Sequence, residues 1–345
     1  MSKLAKYALR YGLSLGLGAV FIYWALQGIE LDQLWRAATS LEWGWLGLIT
    51  LSVLASLLVR AWRWLVLLAP FAPGIGLYNA SLALAVGYSA NVFIPRSGEA
   101  LRVLSLHWTR GATITPLLGT VLLERILDVI WLLIFIGLSL LLLPSQLVQA
   151  YPWLGLFTLI ALVGCVVALG GLVLICVYRR AVRIWLSQRL EPRYPRLGGK
   201  INRILAAFLD GLTTLHRPAA YLQLFVSSAL LNLIYVAINY WAFLGMGLGL
   251  DFGAALVVMT VSTFGIIVPT PGGMGSYHLF FAQSLRVLYG SDQTVGLACA
   301  LLVHGWTTAI YLVLGIPALL WQYWHRASRP TNPDPGPRSH FSDTP

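Results

Sequence analysis

The stretch that decides the fold lies within a chain that is apolar almost everywhere, and it reads Asn91-Val-Phe-Ile-Pro-Arg-Ser-Gly-Glu-Ala-Leu-Arg102. Pro95 cannot continue a helix, and it disfavours helical angles at the residue before it. Ser97 is a typical N-cap residue, and Glu99 in the following turn faces the positive end of the helix dipole. We therefore predict that one helix ends just before Pro95, that another begins near Gly98, and that the break between them carries charge.

A second break, Pro269-Thr-Pro-Gly-Gly-Met-Gly275, lies in the second half of the chain. Its glycines permit positive φ angles and the close approach of a ligand to the backbone. A helix that begins near Ser276 points its positive end at this break, which suits an anion. A plain tight turn at a membrane interface is the alternative. Interrupted helices are tolerated at membrane depth only where they line a protein-buried or wet cavity.

Composition places the chain in a membrane. Of its 345 residues, 58% are hydrophobic and 10% are charged, whereas about 25% are charged in a typical soluble domain. The net charge is +11, and the basic residues cluster in loops between apolar runs, which is typical of positive-inside topology rather than of nucleic-acid binding. The three cysteines fall in apolar runs and match no metal or disulfide spacing. We expect no metal and no cofactor.

The apolar runs predict the topology. Long runs cover residues 11–26, 43–69, 112–143, 153–178, 218–244 and 294–324. We expect residues 27–42, of mixed composition between the first two runs, to form a loop. Shorter segments flank the two breaks, at 77–94 with 99–108 and at 252–268 with 276–289. A crossing needs about 20 apolar residues, so each short pair favours a re-entrant hairpin over two crossings.

Each half of the chain thus holds two spans, a broken hairpin and one long span. Three crossings per half place the second half upside down relative to the first, with the breaks at corresponding positions marking the binding site. The predicted fold is an all-α polytopic membrane protein, an inverted repeat of three crossings each with two broken re-entrant helical hairpins. We predict a transmembrane domain at 1–326, with repeats at about 5–143 and 152–325. A disordered tail at 327–345 follows.

The basic segment at 179–217 predicts the orientation, because such loops stay cytoplasmic. Both termini are then cytoplasmic, in a multi-pass protein of the cell (inner) membrane. The first hairpin enters from the cytoplasm and the second from outside, so that their tips could meet near the midplane. Two full crossings per hairpin would give the same sides.

Three charged residues lie well inside the run 112–143: Glu124, Arg125 and Asp128. Glu124 and Asp128 share a helix face, and Arg125 can pair with Asp128. A charge at this depth costs about 2.5–3.5 kcal/mol on insertion scales and must face a partner or a cavity. Two compatible interpretations of these charges stay open. One is a structural ion pair that fixes the hairpin to this span, and the other is a polar wall of a headgroup or proton site.

Other polar residues near the breaks are further candidates. Arg96 and Arg102 offer planar donor forks suited to phosphate, unless one of them pairs with Glu99 and only fixes the hairpin. We expect two more arginines, at 60 and 63 near the end of a span, to snorkel to the cytoplasmic interface, with substrate binding as the alternative. His278 and His304 titrate or hydrogen-bond in one interpretation, and are buried, satisfied histidines in the other.

Three motifs in order carry a resemblance: Asn91-x-x-x-Pro95-Arg96-x-Gly98-Glu99-x-x-Arg102, Glu124-Arg125-x-x-Asp128 and Pro269-x-Pro271-Gly272-Gly273-x-Gly275. Together they resemble the lysylphosphatidylglycerol synthase transmembrane-region family, also called flippase-like domain proteins, over roughly residues 5–325. The resemblance implies a lipid-translocating membrane domain. Bifunctional members move an aminoacylated phospholipid, and others are linked to lipid-linked sugars, polyprenyl lipids or hopanoids.

The sequence departs from this family in two respects. It contains no soluble aminoacyl-transfer domain, so we do not expect lysyl-lipid synthesis. Position 278 is His where many relatives have Glu, which puts a carboxylate role there in doubt.

We predict an integral membrane flippase or transporter that moves a phospholipid or lipid-linked anionic headgroup between leaflets, and not an enzyme. No ATP site is visible, so transport would be passive or ion-coupled. Its partner is a membrane lipid with an anionic headgroup, no nucleic acid is expected, and a homo-oligomer stays open. The predicted substrate-binding residues are Asn91, Arg96, Glu99, Arg102, Glu124, Arg125, Asp128, Pro271, Gly272, Gly273, Gly275 and His278.

Two other classes remain as alternatives. One is a membrane enzyme acting on a lipid-linked substrate, such as a glycosyl or acyl transferase, with a base near Glu124 or Asp128. The other is a scaffold that binds lipid or a partner without moving it.

Overall fold

The computed structural model describes residues 3–39, 41–144, 149, 152–185, 188–189, 191–193, 199 and 218–327, and all regular structure in these residues is helical. The helices are α1 Lys3–Leu26, α2 Leu31–Thr39, α3 Trp43–Leu68, α4 Leu77–Phe93, α5 Gly98–Arg110, α6 Ile114–Leu141, α7 Pro152–Val177, α8 Arg179–Trp185, α9 Pro218–Gly245, α10 Phe252–Ile267, α11 Ser276–Tyr289 and α12 Gln293–Ala327. Single helical turns lie at Glu191–Arg193 and Pro271–Gly273.

Several of these helices suit a bilayer. Within the described residues, Trp43–Leu68, Ala219–Gly245 and Gln293–Trp324 are each long and apolar enough to cross a membrane, and Tyr11–Leu26 with Leu31–Thr39 passes the same test as a pair bent by 88°. The chain is therefore a helical membrane protein, as its composition predicts. The long α6, of 28 residues, differs because charged side chains interrupt its apolar surface.

The helix ends near both breaks agree closely with the prediction. Ile94 takes extended angles after α4, and Gly111 ends α5 in the left-handed region at φ 68°. The helix predicted after the second break does begin at Ser276. These ends are local consequences of proline and glycine chemistry, which explains why they could be predicted.

Two local expectations are wrong. Ser97 stands at the N-cap position of α5 but does not cap it, because its hydroxyl donates back to the carbonyls of Ala90 and Ile94. The segment after α1, expected to be a loop, contains the helix α2, whose Leu34 is buried. The predicted tail lies outside the described residues, apart from Ala327 at the end of α12.

Each hairpin is closed by a contact between small residues. A β-carbon on Gly98 would lie 2.2 Å from the carbonyl oxygen of Gly87, so α5 crosses α4 at a distance that no larger residue permits. In the second hairpin, a β-carbon on Gly265 would lie 2.7 Å from the carbonyl oxygen of Ser276. The limbs of both hairpins are thus in backbone contact at corresponding places.

The halves of the chain interlock around these hairpins. Helix α3 packs along α9, α12 packs along α4, and α10 packs on α6. The backbones of α12 and α4 come close together, because a β-carbon on Gly315 would lie 2.2 Å from the carbonyl oxygen of Ala85. The two breaks also touch, since a β-carbon on Gly272 would lie 3.3 Å from the Cα of Val92.

Candidate functional site

A cluster of charged side chains lies where α3, α5 and α6 meet. Helix α3 contributes two arginines, α5 contributes one, and α6 contributes both carboxylates and a fourth arginine. The members are Arg60, Arg63, Arg102, Glu124, Arg125 and Asp128. We call these six residues the charge cluster.

Glu124 is the centre of the charge cluster, and its side chain is fully buried. One carboxylate oxygen, Oε2, accepts a hydrogen bond from Arg102 Nη1 at 2.7 Å. The other, Oε1, lies 3.1 Å from Arg63 Nη2, 3.5 Å from Arg60 Nε and 3.6 Å from Arg125 Nη2. A single carboxylate therefore faces four guanidinium groups, and its bond to Arg102 fixes the first hairpin to α6.

Asp128 lies one helical turn further along the same face of α6 and is less buried. Its Oδ1 accepts from Arg63 Nη2 at 2.7 Å, and its Oδ2 lies 3.2 Å from Arg60 Nη2 and 3.3 Å from Arg125 Nη2. The predicted shared face of Glu124 and Asp128 and the predicted pairing of Arg125 with Asp128 are both confirmed. With four arginines and two carboxylates, the cluster holds more positive than negative groups.

The guanidinium of Arg102 contacts Glu124 and Trp64, and two of its nitrogens have no hydrogen-bond partner among the described residues. Its Nη1 binds Glu124, and its guanidinium carbon lies 4.8 Å from the centre of the Trp64 ring. The Trp64 indole N–H donates in turn to Thr120 Oγ1 at 2.9 Å, which fixes the ring. Arg102 Nε and Nη2 are buried and have no hydrogen-bond partner among the described residues. These two nitrogens form one edge of the guanidinium plane, the kind of edge that binds a phosphate or carboxylate through two parallel bonds.

A cavity of about 50 Å³ lies beside the first hairpin, and Arg102 is one of its lining residues. Three cationic side chains of the charge cluster line it, together with residues of the first hairpin. The full lining is Arg60, Leu84, Gly87, Tyr88, Asn91, Gly98, Glu99, Arg102 and Arg125. The cavity therefore joins the first break to the charge cluster.

The expectation that Arg60 and Arg63 reach an interface is wrong. Arg63 is 0% exposed and Arg60 is 9% exposed. Beyond its bonds to the carboxylates, Arg63 Nη1 lies 3.4 Å from Ser228 Oγ on α9, and Arg60 Nη1 donates to Tyr88 Oη on α4 at 2.7 Å. Both arginines belong to the site because α3 is enclosed by other helices at this depth.

The remaining predicted residues of the first break have separate positions. The Asn91 side chain accepts from the backbone N–H of Gly98 at 2.7 Å and so provides the cap expected of Ser97. Glu99 lines the cavity, and its Oε2 is buried without a hydrogen-bond partner among the described residues. Arg102 pairs with Glu124 and not with Glu99, and Arg96 is exposed at the turn.

Residues of neighbouring helices pack closely against the second break. Gly272, Gly273 and Gly275 have φ angles of 59°, 76° and 81°, as predicted for glycines in this position. A β-carbon on Gly275 would lie 2.6 Å from the carbonyl oxygen of Gly18 on α1. Pro271 is buried in the same turn. These contacts bury Pro271, Gly273 and Gly275, whereas Gly272 is half-buried.

Two histidines hold the second break. His278 Nδ1 lies 3.3 Å from the backbone N–H of Gly275 and accepts from it, which places the ring proton on Nε2. His304 Nε2 lies 2.9 Å from the carbonyl oxygen of Gly272. The two rings lie 5.0 Å apart, and His304 stacks on Tyr277. Imidazole side chains from α11 and α12 thus hydrogen-bond to the backbone of the break at Gly275 and at Gly272.

The fold and the charge cluster define a class: a polytopic helical membrane protein with a net cationic cavity between an interrupted hairpin and a charged span. The family model for the lysylphosphatidylglycerol synthase TM region matches residues 11–315, so the chain belongs to that family. Its function therefore concerns membrane lipids. No curated protein and no solved structure shows significant similarity to the chain.

Proposed function

We propose that the protein is a lipid flippase, a transporter rather than an enzyme, which moves a phospholipid or lipid-linked anionic headgroup between the leaflets of the cell membrane. The observation that carries this proposal is that Arg102, whose Nε and Nη2 are buried without a hydrogen-bond partner among the described residues, lines a cavity together with two further arginines. Two parallel N–H donors at fixed spacing match two oxygens of one phosphate.

The charge balance supports an anionic ligand. Arg60, Arg102 and Arg125 line the cavity, and Glu99 is the one carboxylate among its lining residues. Glu124 already holds Arg102 on the side away from the free edge, so that it orients the arginine. An incoming phosphate would neutralise the excess positive charge and satisfy donors that are buried without partners, which lowers the cost of their desolvation.

The helix lengths and packing support two re-entrant hairpins in an inverted repeat. The limbs α4 and α5 have 17 and 13 residues, and α10 and α11 have 16 and 14. All four are shorter than the roughly 20 residues of a full crossing. The first limb of each hairpin packs on the long helix of the other half, α4 on α12 and α10 on α6, as a two-fold relationship requires.

In this arrangement both termini are cytoplasmic and the first hairpin enters from the cytoplasm. The contact between Val92 and Gly272 then lies near the midplane, where transporters of this plan bind substrate. The cavity of the first hairpin faces one leaflet, and the fastened second break closes the path to the other.

The test is reconstitution of wild type, Arg125→Ala and Arg110→Ala in liposomes, with the movement of labelled anionic and neutral lipids followed between leaflets. Arg125 lines the cavity and is 43% exposed, so its removal leaves the buried pairs intact. Arg110 is an exposed arginine at the end of α5 and serves as the matched control.

Loss of one charged hydrogen bond to a phosphate costs about 1.5–3 kcal/mol, or roughly tenfold to a hundredfold in binding. We therefore expect Arg125→Ala to slow the movement of anionic lipid by about that factor and Arg110→Ala to leave it unchanged. Equal rates for wild type and Arg125→Ala would show that the site is assigned wrongly. If the wild type chemically converts the lipid, the protein is an enzyme and the proposed transporter function is wrong.

A further inference from the structure

The short helix α2 lies at nearly a right angle to α1. The two helices form a pair bent by 88°, and Gly28 in the turn between them has φ 74°. Helix α1 has 24 residues, and at about 1.5 Å per residue it is long enough for a hydrocarbon core of about 30 Å. Helix α3, which follows α2, is also long and apolar enough to cross. A helix perpendicular to one crossing and directly before the next lies along the surface of the bilayer.

The side chains of α2 fall on three sides of the helix. Leu34 is buried, whereas Leu31 and Trp35, one turn apart, are each 69% exposed. Asp32 and Arg36, also one turn apart, pair with each other and are 74% and 72% exposed. At about 100° per residue, the exposed apolar side chains lie between the buried side and the charged side. This order suits a helix that has protein on one side, an apolar medium below it and water above it.

The buried side of α2 packs beside the second hairpin. Leu34 belongs to a buried cluster with Ala282 of α11 and Leu297 of α12. Its apolar contacts are therefore supplied by the protein itself. Leu31 and Trp35 point away from this cluster, since they are exposed. What covers them lies outside the helices that hold Leu34.

Exposed aromatic side chains continue this surface on both sides of α2 in the chain. Tyr23 and Trp24, near the end of α1, are 64% and 49% exposed, and Trp43, at the start of α3, is 85% exposed. Trp and Tyr concentrate at membrane–water interfaces, where the ring contacts acyl chains and its N–H or O–H reaches the headgroups. The ends of α1 and α3 that flank α2 therefore stand at the level of an interface.

We propose that α2 is an interfacial helix whose partner is the surface of the lipid bilayer. Leu31 and Trp35 insert at the boundary between headgroups and acyl chains, and Asp32 and Arg36 face the water. In the orientation given above, this surface belongs to the outer leaflet. Through Leu34, α2 connects the depth of that surface with the position of the second hairpin. The inference stands on the geometry of α2 and does not require the flippase function.

A lipid surface fits α2 better than a second copy of the chain does. An aromatic side chain covers at most about 250 Å², whereas each partner of a stable protein complex buries about 800 Å². Leu31 and Trp35 fall well short of that area by themselves. Insertion into a lipid interface has no such requirement, because each apolar side chain that leaves water contributes separately.

The experiment measures the depth of single nitroxide labels by electron paramagnetic resonance. The labels are attached to Leu31→Cys, Asp32→Cys, Trp35→Cys and Arg36→Cys in a chain whose three native cysteines are replaced by alanine. The protein is reconstituted in liposomes of phosphatidylcholine and phosphatidylglycerol. The ratio of collisions with oxygen to collisions with a water-soluble nickel complex rises with depth. Val313→Cys, at a position 72% exposed near the middle of α12, gives the reference value for the hydrocarbon core.

We expect the labels at Leu31→Cys and Trp35→Cys to lie about 5–10 Å into the boundary between headgroups and acyl chains, with those at Asp32→Cys and Arg36→Cys in water. Equal, water-like ratios at all four positions would overturn the proposal. Ratios equal to that of Val313→Cys at all four would place α2 in the hydrocarbon core and also overturn it. Exclusion of both reagents at the two apolar positions, with spin–spin broadening that disappears on dilution with unlabelled chain, would identify a second copy instead.

A second measurement leaves the helix without a label, in case a labelled variant does not fold. Trp35→Phe keeps an apolar ring, so the difference in emission between wild type and this variant isolates Trp35 among the 14 tryptophans. We expect that difference to be quenched by phospholipids brominated near the top of the acyl chain and little by acrylamide in the water. Quenching by acrylamide alone would show that Trp35 is in water and the proposal is wrong.

Discussion

Replacement of Glu124 by glutamine is the change that most directly tests how the charge cluster is built. Glu124 is fully buried, and four guanidinium groups lie within 3.6 Å of its carboxylate. The amide keeps the shape of the side chain and one acceptor oxygen but removes the charge. Asp128, which pairs with three of the arginines, is then the single carboxylate in a cluster that holds four.

The expected loss is large because the remaining charges stay buried. Removal of one partner from a buried ion pair costs about 3–5 kcal/mol, since the other charge is left uncompensated in a medium of low dielectric constant. Asp128 is 25% exposed and touches three of the same arginines, so water offsets part of its loss. We therefore expect Glu124→Gln to destabilise the fold by about 3–5 kcal/mol and Asp128→Asn to destabilise it by less.

The assay is unfolding in mixed micelles by titration with an anionic denaturing detergent, followed by tryptophan fluorescence. Trp64, which lies under Arg102, is one of 14 tryptophans whose fluorescence together reports unfolding of the chain. The matched control is Asp32→Asn, the same chemical change in the Asp32–Arg36 pair on α2, whose side chains are 74% and 72% exposed. Such a surface pair contributes only about 0.3–0.5 kcal/mol. A Glu124→Gln protein as stable as Asp32→Asn would refute the view that Glu124 organises the cluster.

Two further predictions concern the first hairpin and the start of α12. Gly98→Ala should destabilise the protein by about 1–3 kcal/mol through overpacking, because its β-carbon would lie 2.2 Å from the carbonyl oxygen of Gly87. Gly119→Ala, whose β-carbon meets nothing within 4 Å, should cost nothing in the same unfolding assay. Burial by itself would raise the pKa of Asp292, but the backbone N–H groups of Val295 and Thr294 donate to its carboxylate and bring the pKa below its usual range. The capping contribution, about 1 kcal/mol, is fully present above the unfolded pKa of about 3.9, and its charge-dependent part is lost as pH falls through the lower folded pKa. Asp292→Ala should thus be less stable than wild type at pH 7, and a stability gap that does not narrow on acidification would contradict this reasoning.

The breaks and their helices could be predicted because proline and glycine act on the backbone next to them. Pro95 and Gly111 delimit α5 whatever the rest of the chain does. The cap at Gly98 was assigned to Ser97 by local preference, but Asn91 provides it from the preceding helix. Which residue caps Gly98 depends on how closely α4 and α5 cross, and no local sequence pattern indicates that distance.

The positions of Arg60 and Arg63 on α3 were predicted wrongly for a similar reason. Arg60 and Arg63 stand near the end of an apolar run, where snorkelling is the usual outcome for an isolated helix. Burial by α4, α6 and α9 removes that route to water. One signal was present in the sequence. Two arginines about one helical turn apart on α3 complement two carboxylates, Glu124 and Asp128, about one helical turn apart on α6.

The close contact of Gly315 with α4 has a mechanical consequence. Helix α4 ends at the first break, and α12, which Gly315 brings against it, carries the imidazole of His304 that holds the second break. Close-packed interiors do not compress, so a sliding motion of α4 is transmitted to α12 instead of being absorbed between them. We therefore expect a displacement of α4 at the first break to reach the second break through α12.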